Sequence, residues 1–233
     1  MMYKVLDERG VARNGSDFQY SLPTVNSPGD WHRLSEEVAL QHCQTGFHAT
    51  KTPAKWVSEK SYIIYRCEVG GGLAYDDESE KGCYRSIRLL ERLSDTEHLN
   101  HFVVLSGTHE VNEGKWLAVG TAKVTALGSS QVKACDSSQV LALDSSQVTA
   151  WGSSKVTACD SSQVTACDSS RVTARDSSQV TAYDSSQVTA WDSSQVTAWD
   201  SSQVTACDSS IVIDHRVDKV YTVADFIMEK FKK

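Results

Sequence analysis

Four consecutive octads, Ser177-Ser-Gln-Val-Thr-Ala-Tyr-Asp184, Ser185-Ser-Gln-Val-Thr-Ala-Trp-Asp192, Ser193-Ser-Gln-Val-Thr-Ala-Trp-Asp200 and Ser201-Ser-Gln-Val-Thr-Ala-Cys-Asp208, decide the architecture of most of this chain. Within each octad the run Ser-Gln-Val-Thr-Ala-x alternates, so the second Ser, Val and Ala share one side of an extended strand while Gln, Thr and the variable residue take the other. Val164 and Thr165 therefore belong to opposite faces. The shared side is small and apolar, which suits two strands facing each other at short distance. Asp-Ser-Ser between strands is turn chemistry, because Asp and Ser side chains bond the local backbone and Gly, its replacement in several copies, tolerates positive φ.

Eight residues thus make one strand and one turn, and two octads make a flattened coil of about sixteen. The register runs outward from the clear copies. Glu113–Gly120 and Thr121–Gly128 keep the Ala and the turn Gly, and the pattern fades after Val217, so residues 113–220 hold about fourteen octads. The expected fold is an all-β parallel β-solenoid of about seven coils, stacked at ~4.8 Å into a rod ~34 Å long. An open solenoid end exposes unpaired strand edges. Residues 221–233 supply a short C-terminal capping helix, with Thr222-Val-Ala-Asp225 as its start and Val223, Phe226, Ile227 and Phe231 on one side.

Residues 1–108 are not repetitive and are expected to form an α+β domain. Strands are expected near Tyr3–Leu6, Gly46–Ala49 and Ser61–Val69. A helix is expected from Thr52 to about Lys60, with Thr52 as N-cap and Pro53 at the first helical position. A second is expected from Tyr84 to Leu93, where Arg85, Arg88 and Arg92 lie opposite Ile87, Leu90 and Leu93.

Charge and composition narrow the function. A net charge of −7 in 233 residues opposes sequence-independent binding to nucleic acid, which rests on clustered Lys and Arg. Seven cysteines, an odd number without a C-x-x-C pair, indicate neither a disulfide framework nor a metal site. With no apolar run long enough to span a bilayer and no signal-like start, the expectation is a cytoplasmic protein away from membranes.

Phe18-Gln19-Tyr20, then Leu40, Cys43, Gly46-Phe47-His48-Ala49 and Pro53, resemble an uncharacterised domain of phage and prophage proteins with an F-Q-Y element before a C-x-x-G-F-H-A element. The resemblance covers about Tyr3 to Val69 and implies a phage-encoded protein in the host cytoplasm. Separately, the octads are similar to those of bacterial ice-nucleation proteins, A-G-x-G-S-T-x-T. That resemblance implies an ice-facing row, but Gln179, Gln187, Gln195 and Gln203 stand where the first Thr of each T-x-T should be.

Three sets of residues are candidates for function. His48, Tyr65 and Glu68, on two strands, are loosely similar to the NAD-holding arrangement of mono-ADP-ribosyltransferase-like folds, the alternative in which NAD is the cofactor; otherwise no cofactor is expected. The variable position carries Trp151, Tyr183 and Trp199 on one side of the coil and Trp191 on the other, a binding surface or a stabilising stack. The Asp ladder with Asp168, Asp184 and Asp200 suggests turn capping first, with phosphate mimicry and Ca²⁺ binding as alternatives; calcium needs about six to eight oxygens. The reading that unites these is a non-enzymatic binding or scaffold protein with a protein partner, a homodimer included, in a host-interaction or anti-defence role.

Overall fold

The computed structural model describes residues 1–12, 18–41, 44–73, 75–78, 80–215 and the backbone of 219–222. It divides into two compact units, residues 1–103 and 104–233.

The second unit is the solenoid. Strands recur every eight residues and join two sheets alternately, so each pairs with the strand 16 residues away: Gln163↔Gln179, Val164↔Val180, Thr165↔Thr181 and Ala166↔Ala182 in one sheet, Arg171↔Gln187 to Ala174↔Ala190 in the other. All these pairings are parallel and in register, which gives about seven turns. Alternation sets the burial as expected. Val164 is 3 % exposed and Ala166 and Ser162 are fully buried, while Thr165 is half-buried and Gln163 exposed. Ser, Val and Ala are small enough for the two sheets to close on each other without a wide core.

The coil starts earlier than its motif. Thr108–Val111 already pairs in parallel with Lys123–Ala126, His109 opposite Val124 and Val111 opposite Ala126. This pair is 15 residues apart, one short of the coil, and lacks the S-S-Q-V-T-A letters; an inward apolar residue such as Val111 is enough for the strand to join the ladder. At the far end Lys219–Thr222 lies antiparallel on Ile211–Asp214 and covers the last rung of that sheet. Tyr221 and Thr222 are therefore strand residues, and the remainder of the expected capping helix, 223–233, lies outside the described residues.

The first unit is built on β1 (Met2–Leu6), β2 (His32–Arg33), β3 (Phe47–Ala49), β4 (Ile63–Gly72) and β5 (Gly82–Arg92), in the order β1-β4-β5-β2, with β3 also on β5. Tyr3 and Thr50 exchange both backbone hydrogen bonds, at 2.8 and 2.9 Å, so the path β1-β4-β5-β3 closes on itself.

Two expected helices are corrected. Residues 52–60 form only a 3₁₀ turn, Pro53–Lys55, because the chain doubles back through a Ser58–Ser61 bridge. Residues 84–92 belong to β5, and Leu93 follows it directly. Ile87 and Leu89 are buried on one face with period two, and a bulge opposite Arg66/Cys67 shifts the register by one, so that Leu93 is buried on the other face against Ile64 and Val5. Apolar residues on both faces of the segment imitate the three-residue spacing of a helix. The unit's α-helix is short, α1 (Asp95–Leu99), held by a capping box between Ser94 and Glu97. Arg66 pairs with Glu97 and Glu91, and the Ser94 N–H and hydroxyl with that guanidinium draw the Glu97 carboxyl down to about 2. His98, on α1, is fully buried. Its Nε2 accepts the Ile64 N–H at 3.0 Å, so the ring proton lies on Nδ1, which donates to Ser94 O at 2.9 Å.

Candidate functional sites

In the solenoid each turn x-Asp-Ser-Ser closes by a bond from the second Ser N–H to the carbonyl of x, as from Ser186 to Tyr183 at 3.1 Å. The Asp takes φ near +55, a left-handed conformation that disfavours most side-chain-bearing residues and that Asp and Asn accept at least cost. Gly120, Gly128 and Gly152 occupy the same place with φ of 60, 56 and 65. The carboxylate then reaches across to the neighbouring rung. Asp184 Oδ2 accepts the Asp168 N–H at 3.1 Å, Asp200 accepts that of Asp184 at 3.4 Å, and Asp168 that of Gly152 at 3.0 Å. Both Asp ladders therefore stitch turn to turn, their carboxylates bonding the neighbouring rung where the local backbone of their own turn was expected. No group of three or more His, Cys, Asp or Glu is placed to hold a metal ion among the described residues.

The residue before each Asp sits at the corner of the coil. One edge carries Cys135, Trp151, Cys167, Tyr183, Trp199 and His215, the other Leu143, Cys159, Arg175, Trp191 and Cys207. On the first edge Tyr183 and Trp199 lie parallel, with centroids 6.4 Å apart, and Trp199 stacks on His215 at 3.9 Å. Lys133 lies over Trp151. These rings are not consumed by stacking, since Trp151, Trp199 and, on the opposite edge, Trp191 remain 37–40 % exposed. The rows also differ in continuity. Gln163, Gln179 and Gln195 line one face unbroken, whereas Lys155 and Arg171 interrupt the other.

The first unit holds a cavity of about 960 Å³. The structure does not bring His48, Tyr65 and Glu68 together there. His48, on β3, lines it; Tyr65 is buried in β4 and is not on its wall; Glu68 lies on the opposite face of β4 from Tyr65, exposed and paired with Arg88 at 2.7 Å. What does meet is the pair of motif elements, because Phe18, Tyr20, His32 and Phe47 form one aromatic cluster with Phe18–Phe47 centroids 5.7 Å apart. Gly46, just before β3, permits close approach to β5. A Cβ there would stand 2.3 Å from Cys83 Sγ, and its φ is +130.

Sequence reasoning missed Lys4. It sits between apolar neighbours on β1, is only 7 % exposed, donates from Nζ to His48 O at 2.8 Å, and lies over the Tyr20 ring at 4.8 Å. Burial pulls its ammonium down to about 8 against the favourable field of Cys67, with Lys81 adding to the fall. His32 accepts the Ser21 N–H on Nε2 at 2.8 Å, and burial holds it below the usual histidine range. The alternation around Lys4 offered no signal, since a strand lysine on a solvated face reads the same.

Comparison with protein-family models, with curated proteins and with solved structures finds no match to this chain. No helix among the described residues is long and apolar enough to cross a membrane.

Proposed function

We propose that this chain works by binding, as a scaffold whose solenoid presents a rigid edge to a protein partner. The reading rests on one observation above the others: Trp151, Tyr183 and Trp199 lie along a single edge at multiples of the 16-residue coil, the two tryptophans exposed and Tyr183 half-buried, on a backbone that every rung fastens to the next. Aromatic side chains held in this way bring contact area with little rotamer entropy left to lose. The resemblance to the phage domain extends the proposal to a host-interaction or anti-defence role in the host cytoplasm. The scattering of His48, Tyr65 and Glu68 gives the NAD-cleaving alternative no support.

The test is affinity capture from bacterial lysate with the full chain and with a Trp151→Ser/Tyr183→Ser/Trp199→Ser variant, alongside sedimentation of both. A partner, or a self-associated form, held by the parent and lost by the variant is the expected outcome. Identical binding and identical mass for the two proteins would remove the edge from consideration.

A further inference from the structure

We infer that the cavity of the first unit is a binding site for a small organic anion carrying a flat ring, with the Lys4 ammonium as the group that receives its carboxylate or phosphate. The first reason is charge. Although the chain carries a net charge of −7, the described residues lining this cavity include Lys4, Arg33, Lys55 and Lys81 and neither Asp nor Glu. Lys55 is neutralised by Glu80, and Lys81 is drawn over Trp56, but Lys4 has no carboxylate partner among the described residues. Its three N–H donors meet one carbonyl and one ring face. A buried ammonium so sparsely matched is costly unless an anion completes it.

The second reason is the wall itself. Tyr20, Phe47 and Trp56 give flat apolar surface, and the volume lies within the range of small-molecule sites. Trp56 Nε1 and Ser61 Oγ, on two residues of the same wall, are buried with no hydrogen-bond partner. Both orphan atoms can donate, as can the Lys4 N–H groups not spent on His48 O, and buried donors left unpaired favour a ligand rich in acceptor oxygens.

Calorimetry on the full chain tests it with charged and uncharged pairs: AMP against adenosine for a phosphate, indole-3-acetate against indole for a carboxylate. At least one anion should bind ten-fold or more tighter than its neutral counterpart, and Lys4→Met should abolish that preference while leaving the neutral compound unchanged. A second measurement needs no variant. The groups facing Lys4 are Tyr65 and Cys67 on β4, Tyr20, and Lys81, and of these Cys67 and Tyr20 are pushed by burial to titrate well above Lys4. Anion affinity should therefore fall as pH rises from 7 to 9.5, with the affinity of the neutral compound flat. Equal binding of charged and neutral members, an anion preference that survives Lys4→Met, or no binding by either anion would each overturn the site.

Discussion

Replacing Asp184 separates the two things its side chain does. Asp184 holds φ at 54 and accepts the Asp168 N–H at 3.1 Å. Ala would carry a Cβ into the left-handed region, at about 1 kcal/mol, and would forfeit a hydrogen bond worth about 1 kcal/mol. Gly keeps the conformation and loses only the bond, and Asn keeps both. The local opening free energy should thus fall by about 2 kcal/mol for Asp184→Ala, about 1 for Asp184→Gly and close to zero for Asp184→Asn. Hydrogen exchange at the Asp168 amide reads this directly, because its sequence neighbours, and hence its intrinsic exchange rate, are unchanged. Exchange limited by a pre-equilibrium opening should accelerate about thirty-fold, five-fold and less than two-fold in that order, at about 1.4 kcal/mol per decade. Equal acceleration by Ala and Gly would mean that backbone conformation plays no part. An Asn variant as fast as Ala would mean that the carboxylate's charge, and not its hydrogen bond, holds the turns together.

Buried serines should divide into two kinds. Ser178 Oγ is buried without a partner, whereas Ser194 Oγ donates to Trp191 O at 2.7 Å; Ser178→Ala should therefore leave stability equal or raise it by up to about 1 kcal/mol, and Ser194→Ala should lower it by about 1 kcal/mol, compared by urea unfolding. Gly46→Ala sets a methyl 2.3 Å from Cys83 Sγ at a φ of +130 and should cost about 3 kcal/mol or more, seen as a fall in the unfolding midpoint. Lys4→Met should show a pH-dependent difference from the parent chain. The folded Lys4 pKa of about 8 lies below the ordinary 10.5, so the parent carries a cost of burying charge below pH 8 that disappears by pH 10.5. The stability of the Met variant relative to the parent should accordingly be greatest near pH 7 and decline by about 3 kcal/mol across that window; a flat difference would show that Lys4 is not desolvated. The Cys159 thiol, pushed up by burial and by the carboxylates of Asp176 and Asp160, should alkylate more slowly than glutathione at pH 7.4, measured by mass spectrometry.

How much of this was legible from residues alone differs sharply between the two units. In the solenoid, an inward Val180, an outward Gln179 and a turn at Asp184 repeat with their copies, and pairing simply translates the local rule by 16 residues. One octad therefore contains nearly all the information of the long-range contacts. Even there the carboxylate's partner was hidden, for nothing in the letters says that Asp184 reaches a neighbouring rung and not its own turn.

In the first unit the contacts that matter join segments with no common period. Phe18 meets Phe47, Lys4 reaches His48, and Cys83 lies against Gly46. Apolar residues on both faces of the strand Gly82–Arg92 and just beyond it gave a helical pattern of letters, and the face alternation of β4 parted Tyr65 from Glu68. The amino-acid order on its own determined the coil, its period, its inward Ser, Val and Ala, and its aromatic edges, because a repeated local conformation leaves the chain only one way to stack. Which side chains line the cavity, and that Lys4 is buried there, was decided only when non-repeating strands closed on one another, since burial at such a position depends on what distant segments bring to it.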